Sequence, residues 1–129
     1  MITYLSKSNR ANPDDVMMLR HDLMKLNDTV IEHKGGQWDP SIINPCNRVI
    51  AVHPADQEFT PERCVMGRGQ FSEADLAITV IEIPHFVYHE GMLYPTKRIE
   101  KIPGKDSWQA YAYFHLGTPE KLNPARPIL

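Results

Sequence analysis

The sequence has little of what usually identifies a function at sight. Among 129 residues there are only two cysteines, Cys46 and Cys64. They form no Cys-x-x-Cys pair and no disulfide framework, so two reduced thiols in a cytoplasmic protein are expected. No apolar run approaches the ~18 residues that a membrane span needs. The start, Met-Ile-Thr-Tyr-Leu-Ser-Lys, has neither the basic opening nor the long apolar stretch of a secretory leader. No membrane partner is therefore expected. Neither sign of charge dominates: 14 basic residues face 16 acidic ones, for a net charge of −2. That balance argues against extended nucleic acid held by electrostatics.

Catalytic signatures are missing too. There is no Gly-x-Ser-x-Gly elbow, no phosphate loop ending in Gly-Lys-Ser/Thr, and no Cys-His pair in a recognisable context. These absences remove serine hydrolases, typical nucleotide triphosphatases and cysteine proteases from the front rank. His85 and His89 are the nearest approach to a metal pair. On a strand they would stand about 13 Å apart, too far for one ion. No metal and no cofactor are expected.

What remains is an ordinary globular composition, 42% hydrophobic and 23% charged, with a high count of 11 prolines. A chain of this length is expected to form one domain over residues 1–129. Ile2 to Ser6 reads as a strand. Asn12, Pro13, Asp14 and Asp15 then form a helix start, and Val16, Leu19, Leu23 and Leu26 repeat at helical spacing as a buried stripe. Arg20, Asp22 and Lys25 fall on the solvated side. Thr29 to His33 reads as a second strand, 34–38 as a loop, and Pro40 to Ile43 as one helical turn. Arg48 to His53 is apolar throughout its middle, as in a strand buried on both faces. Pro54 to Pro61 is a polar connection, and Gly67 to Ala77 a loop running into a short helix. Ile78 to Ile83 reads as the next strand.

Strands alternating with helices favour a parallel sheet with helices on its faces. Beyond residue 84 the pattern changes. Phe86 to His89 and Met92 to Tyr94 flank Glu90-Gly91 as a hairpin, and Trp108 to Leu116 reads as a further strand. Antiparallel strands over 85–116 should extend one edge of an α/β core formed by 1–84, with 117–129 as an irregular tail.

Ligands of open parallel sheets bind beyond the carboxyl ends of the strands. That rule selects Ser6, Lys7 and Ser8 after the first strand, and Gly35, Gly36 and Trp38 after the second. After the third it selects His53 and Asp56, and after the fourth His85. Gly67, Arg68, Gly69 and Gln70 enter the short helix at the same end. Glycines beside a helix start let backbone N–H groups approach an anion, and Arg68 adds a forked donor. Glu73 admits two readings. It is a carboxylate facing this opening, or a favourable charge in a capping box begun by Ser72. Trp38 either stacks on a base or is pinned on the core. Lys97, Arg98, Lys101 and Lys105 form a local basic stretch, either a solvated face or a surface for a phosphorylated ligand.

Through Ile2-Thr3-Tyr4-Leu5, and through Gly69 followed four positions on by Glu73, roughly the first 84 residues resemble the nucleoside 2-deoxyribosyltransferase-like superfamily, which is related in shape to TIR domains. The resemblance implies a Rossmann-like three-layer fold with a mainly parallel sheet of about four strands, here extended by C-terminal antiparallel strands. It implies Glu73 as the nucleophile on the anomeric carbon, Tyr4 as its partner, and Asp56 as an acid handling sugar or base. A fainter likeness, through the Lys34-Gly35-Gly36 loop and Gly67-Arg68-Gly69-Gln70, is to small proteins of tailed phages. For such a protein the compartment would be the host cytoplasm.

Three functions follow as expectations. The first is an enzyme cleaving the N-glycosidic bond of a nucleoside, nucleotide or NAD-like molecule. The second is a non-catalytic phage protein that sequesters a nucleotide immune signal. The third is a protein-interaction module, or a homo-oligomer, joined through the Phe86 to Tyr94 hairpin.

Overall fold

The computed structural model describes residues 1–33, 39–102 and 111–122. Strand β1 spans Ile2–Ser6, helix α1 Pro13–Lys25, β2 Thr29–Glu32 and β3 Arg48–Val52. Next come β4, Arg63–Gly67, and α2, Arg68–Asp75, followed by a wide i→i+5 helical segment over Leu76–Ile81. Strands β5, His85–His89, β6, Met92–Lys101, β7, Tyr111–Leu116, and the short β8, Glu120–Lys121, complete the order. Among the described residues no helix is long and apolar enough to cross a membrane.

The result is a mixed α/β structure built on an eight-stranded sheet in the order β2-β1-β3-β5-β6-β7-β4, with β8 beside β6. It is only partly parallel. β2, β1, β3 and β5 pair in parallel, whereas β5–β6, β6–β7, β7–β4 and β6–β8 are antiparallel. The antiparallel extension thus rivals the parallel part in size. The two parts also interleave along the chain: β4 lies at the far edge beside β7, and β5 is the fourth parallel strand.

Local chemistry explains the elements that match expectation. Asn12 caps α1 by accepting from the Asp14 N–H at 2.9 Å, ahead of Pro13. Val49, Ile50, Ala51 and Val52 are all fully buried, as a strand covered on both faces requires. Alternation then divides the core. Leu5, Ile50, Val52 and Tyr88 pack with Val16, Leu19 and Leu23 of α1. Tyr4 and Val49 pack with Ala77, and Ala51 and Val87 with Ala74 of α2. Successive strand residues point to opposite faces, so α1 and α2 cover opposite sides of the sheet. Glu90 (φ 49°) and Gly91 (φ 83°) turn the β5–β6 hairpin in the left-handed region, which suits the twist of a two-residue connection.

Several expectations need correction. Residues 78–83 are not a strand. The buried positions Gln70, Glu73, Ala74 and Ala77 repeat at helical spacing, and the wide turn carries that face onward until Glu82 (φ 59°) ends it. A short apolar run is compatible with either geometry, and here the preceding helix decides. Ser72 does not cap α2. It lies inside the helix, with its hydroxyl donating to the Arg68 carbonyl at 3.3 Å, and Gly67 is the N-cap. The polar connection after β3 leads into β4, which sequence reading missed. Leu26 is 41% exposed, while Asp22 is buried. The Phe86 to Tyr94 hairpin is flanked on both sides, because β5 is paired with β3, and β6 with β8 at Met92 and Leu93 and with β7 from Thr96 onward.

His85 also moves. It pairs in register with Val49 near the start of β3, at the amino end of the parallel strands and away from the expected ligand edge. Its Nδ1 lies 2.9 Å from the Thr96 hydroxyl, and its ring meets Phe114 edge-on. Burial pulls its pKa from 6.5 down to about 3, so it is neutral in the folded protein at physiological pH. A depressed histidine supports folding above its unfolded pKa, and that support is lost as pH falls toward the folded value. Between pH 6.5 and 3, His85→Phe should therefore flatten the acid limb of stability followed by urea unfolding. An unchanged acid limb would show that His85 does not drive it.

Candidate functional site

The two ends of the parallel strands differ in kind. At the amino end, Arg48 donates to Asp28 at 2.8 Å and to the Thr3 hydroxyl at 2.9 Å, and that hydroxyl donates to Asp28 at 2.8 Å. Asn47 accepts from the Ile2 N–H at 2.7 Å. These groups fasten β1, β2 and β3 together, and the Met1 amine adds an ion pair to Asp28.

At the carboxyl end the polar groups meet an ionisable acid. Tyr4 and Ser6 are two apart on β1 and share the face turned to α2. Glu73 reaches them from the second turn of α2. The Tyr4 hydroxyl donates to Glu73 Oε2, and the Ser6 hydroxyl donates to Oε1 at 2.8 Å. Glu73 is only 8% exposed. Burial pushes its carboxyl above the ordinary range, while the hydrogen bonds from Tyr4 and Ser6 and the charge of His33 pull it back.

Gln70, one turn earlier on the same helix face, fixes this arrangement. Its Nε2 donates to the Val52 carbonyl at 2.8 Å and to the Ser6 carbonyl at 3.4 Å, so α2 is tied to the carboxyl ends of β1 and β3. Its Oε1 is buried and accepts nothing among the described residues. The order of the parallel strands reverses between β1 and β3, because the chain leaves β1 for β2 on one side and later continues to β3 on the other. Crevices at such reversals are the usual ligand sites of open α/β sheets.

The start of α2 borders the same rim. Gly67 is its N-cap without a side-chain cap, leaving first-turn N–H groups for another acceptor. A Cβ placed on Gly69 would meet nothing within 4 Å, so there is open space beside this turn, and Arg68 is exposed. Arg10 Nη2 comes within 3.7 Å of where a Gly67 Cβ would stand. Arg10 Nη1 also lies 3.2 Å from Asp56 and 3.3 Å from the Tyr111 hydroxyl. Asp56 is thus an exposed ion-pair partner on the rim, with no contact to Glu73.

The remaining candidates are dispersed. Lys7 is exposed, and the Ser8 hydroxyl accepts from the Arg10 N–H at 3.1 Å. His53 turns into an aromatic cluster: its Nε2 lies 3.0 Å from the Gln57 carbonyl, and its ring is edge-on to Phe59 and His89. Gly35, Gly36 and Trp38 lie outside the described residues, as do Lys105 and Trp108. Both cysteines are buried, with the Cys64 thiol pushed up to about 12 by burial, which makes it a poor nucleophile. Among the described residues no three His, Cys, Asp or Glu side chains converge as metal ligands.

Two residues near the site were missed in the sequence. His33 directly follows β2, as Lys7 follows β1, so the carboxyl-end rule could have found it. Arg10 carries no local signal, because its relation to α2 exists only in the folded chain. Comparisons of the chain with protein-family models, curated proteins and solved structures find no match.

The raised Glu73 carboxyl makes a test of its burial. The folded state keeps this proton to higher pH than the unfolded chain does, so stability falls as pH climbs from the ordinary 4.5 through the raised value. Glu73→Gln removes that decline. In urea unfolding the variant should gain on the wild type as pH rises above 4.5 and lose the advantage below it. Parallel stability–pH curves for the two proteins would contradict this account.

Proposed function

We propose that the chain binds a nucleoside- or nucleotide-derived small molecule at the carboxyl edge of its parallel strands and acts on the N-glycosidic bond, as a deoxyribosyltransferase or an N-glycosidase of the NAD-glycohydrolase kind. The observation that carries this reading is the pair of hydroxyls, Tyr4 and Ser6, directed at the buried carboxylate of Glu73. The parallel order β2-β1-β3-β5, with helices on opposite faces, supports reading this half as Rossmann-like. The Gly69 and Glu73 spacing resembles that of the deoxyribosyltransferase-like superfamily and agrees with a nucleophilic Glu73.

In this mechanism one Glu73 oxygen attacks the anomeric carbon as the bond to the base nitrogen breaks, and a glycosyl ester forms. Water then releases the sugar, or a second base accepts it. Tyr4 and Ser6 hold the carboxylate in one orientation, and partial desolvation strengthens it as a nucleophile. The Gly67 to Gln70 turn supplies backbone donors for a phosphate or sugar oxygen. Asp56 binds at the rim through its pairing with Arg10.

A second reading is capture without cleavage, as for a protein that sequesters a nucleotide signal. It is favoured by the near-complete burial of Glu73, whose two oxygens are already engaged. One experiment separates the two. The protein is incubated with a panel of nucleosides, nucleotides, NAD derivatives and cyclic nucleotides, and the free and heat-released fractions are analysed by mass spectrometry. Cleavage yields free base, and Glu73→Gln should lower its rate by roughly 10²–10⁴-fold while remaining folded. Intact ligand in the heat-released fraction, with no free base, establishes capture instead. Turnover unaffected by Glu73→Gln would remove the nucleophilic mechanism.

A further inference from the structure

We infer that His33 donates the proton to the departing base, a role that rests on the glycosidic reading above. The geometry comes from strand register. β1 and β2 run in parallel with Tyr4 opposite Ile31 and Leu5 opposite Glu32, and His33 is the residue that directly follows β2. Neighbouring strands lie about 4.8 Å apart, and residues paired in register share a face. Tyr4 and Ile31 belong to the same packed cluster as Ala77, which follows α2. Ser6 reaches Glu73 from the end of β1, and His33, at the end of the neighbouring strand, is near enough for its charge to act on the same carboxyl. His33 is half-buried.

The chemistry requires such a group. A purine or pyrimidine leaves with the electron pair of the broken C–N bond and is a poor leaving group unless that charge is neutralised. Tyr4 and Ser6 already direct their hydroxyl protons at Glu73. Asp56 is ion-paired with Arg10 and acts as an acceptor. Histidine is the side chain that both gives and takes a proton near neutral pH. In the first step Glu73 bonds to the anomeric carbon, the C–N pair passes to the base, and the base takes the proton of His33. In the second step water attacks the glycosyl ester, Glu73 leaves as carboxylate, and the water proton returns to His33. The sum is nucleoside plus water giving sugar plus base, with both side chains restored.

The test compares a purine nucleoside with its N7-methylated counterpart, whose base departs neutral and needs no proton. His33→Asn should lose roughly 10²–10⁴-fold in kcat/KM on the unmethylated substrate and stay within a few-fold of wild type on the methylated one. Glu73→Gln should lose activity on both. Equal losses on the two substrates for His33→Asn would make His33 a structural residue, and no loss on either would give it no role. Each of those results overturns the inference while leaving the nucleophile in place. Failure of the wild type to cleave either substrate defeats the glycosidic reading itself, and His33 with it.

Discussion

A carboxyl group held out of water between a strand and a helix constrains much of this structure. Leaving such a group buried without partners would cost several kcal/mol or force it to stay protonated. Glu73 meets that requirement with one hydroxyl on each oxygen, both from β1. The bonds need α2 to lie close to β1 and β3. Small side chains at Ala74 and Ala77 permit the approach, and the Gln70 amide fastens it to the carbonyls of Ser6 and Val52. Helix placement, strand order and local chemistry therefore depend on one another.

The same dependence explains the contrast between the two ends of the sheet. At the amino end Arg48, Asp28 and Thr3 close a complete set of hydrogen bonds. The amino end also holds a displaced group, His85, whose Nε2 is buried without a partner among the described residues, but its ring is packed against Phe114. At the carboxyl end Gln70 Oε1 has no partner among the described residues, α2 begins without a side-chain cap, and Glu73 is displaced from its ordinary titration range. Perturbed acids and unsatisfied polar groups gather where a protein meets a ligand more often than where it merely packs. The antiparallel half contributes to this end as well, since Tyr111 on β7 contacts Arg10 beside the start of α2.

Elements governed by near neighbours along the chain are legible in the sequence alone. Asn12 and Pro13 mark the start of α1, the apolar run from Val49 to Val52 marks a buried strand, and Glu90-Gly91 marks a hairpin. Gly69 and Glu73 can be noticed from spacing, and the carboxyl-end rule nominates Ser6. Whether Glu73 is a capping charge or a site carboxylate stays open in the sequence, because both need an acid near a helix start. The capping reading falls once β1 lies against α2, where both Glu73 oxygens accept from Tyr4 and Ser6 and Gly67 is the N-cap.

The chain by itself determined the Asn12 cap of α1, the turn, the central buried strand and the stripe of Val16, Leu19 and Leu23, because each depends on interactions within a few residues. Tertiary structure decided the rest. It made Ile78–Ile81 the continuation of a helix rather than the start of a strand, made Arg63–Gly67 an edge strand, buried Asp22, and sent His85 to the amino end. It also brought the charge of His33 within reach of Glu73. Those outcomes follow from which strands become neighbours and in what register, and contacts between residues dozens of positions apart leave no periodic trace in the sequence of either one.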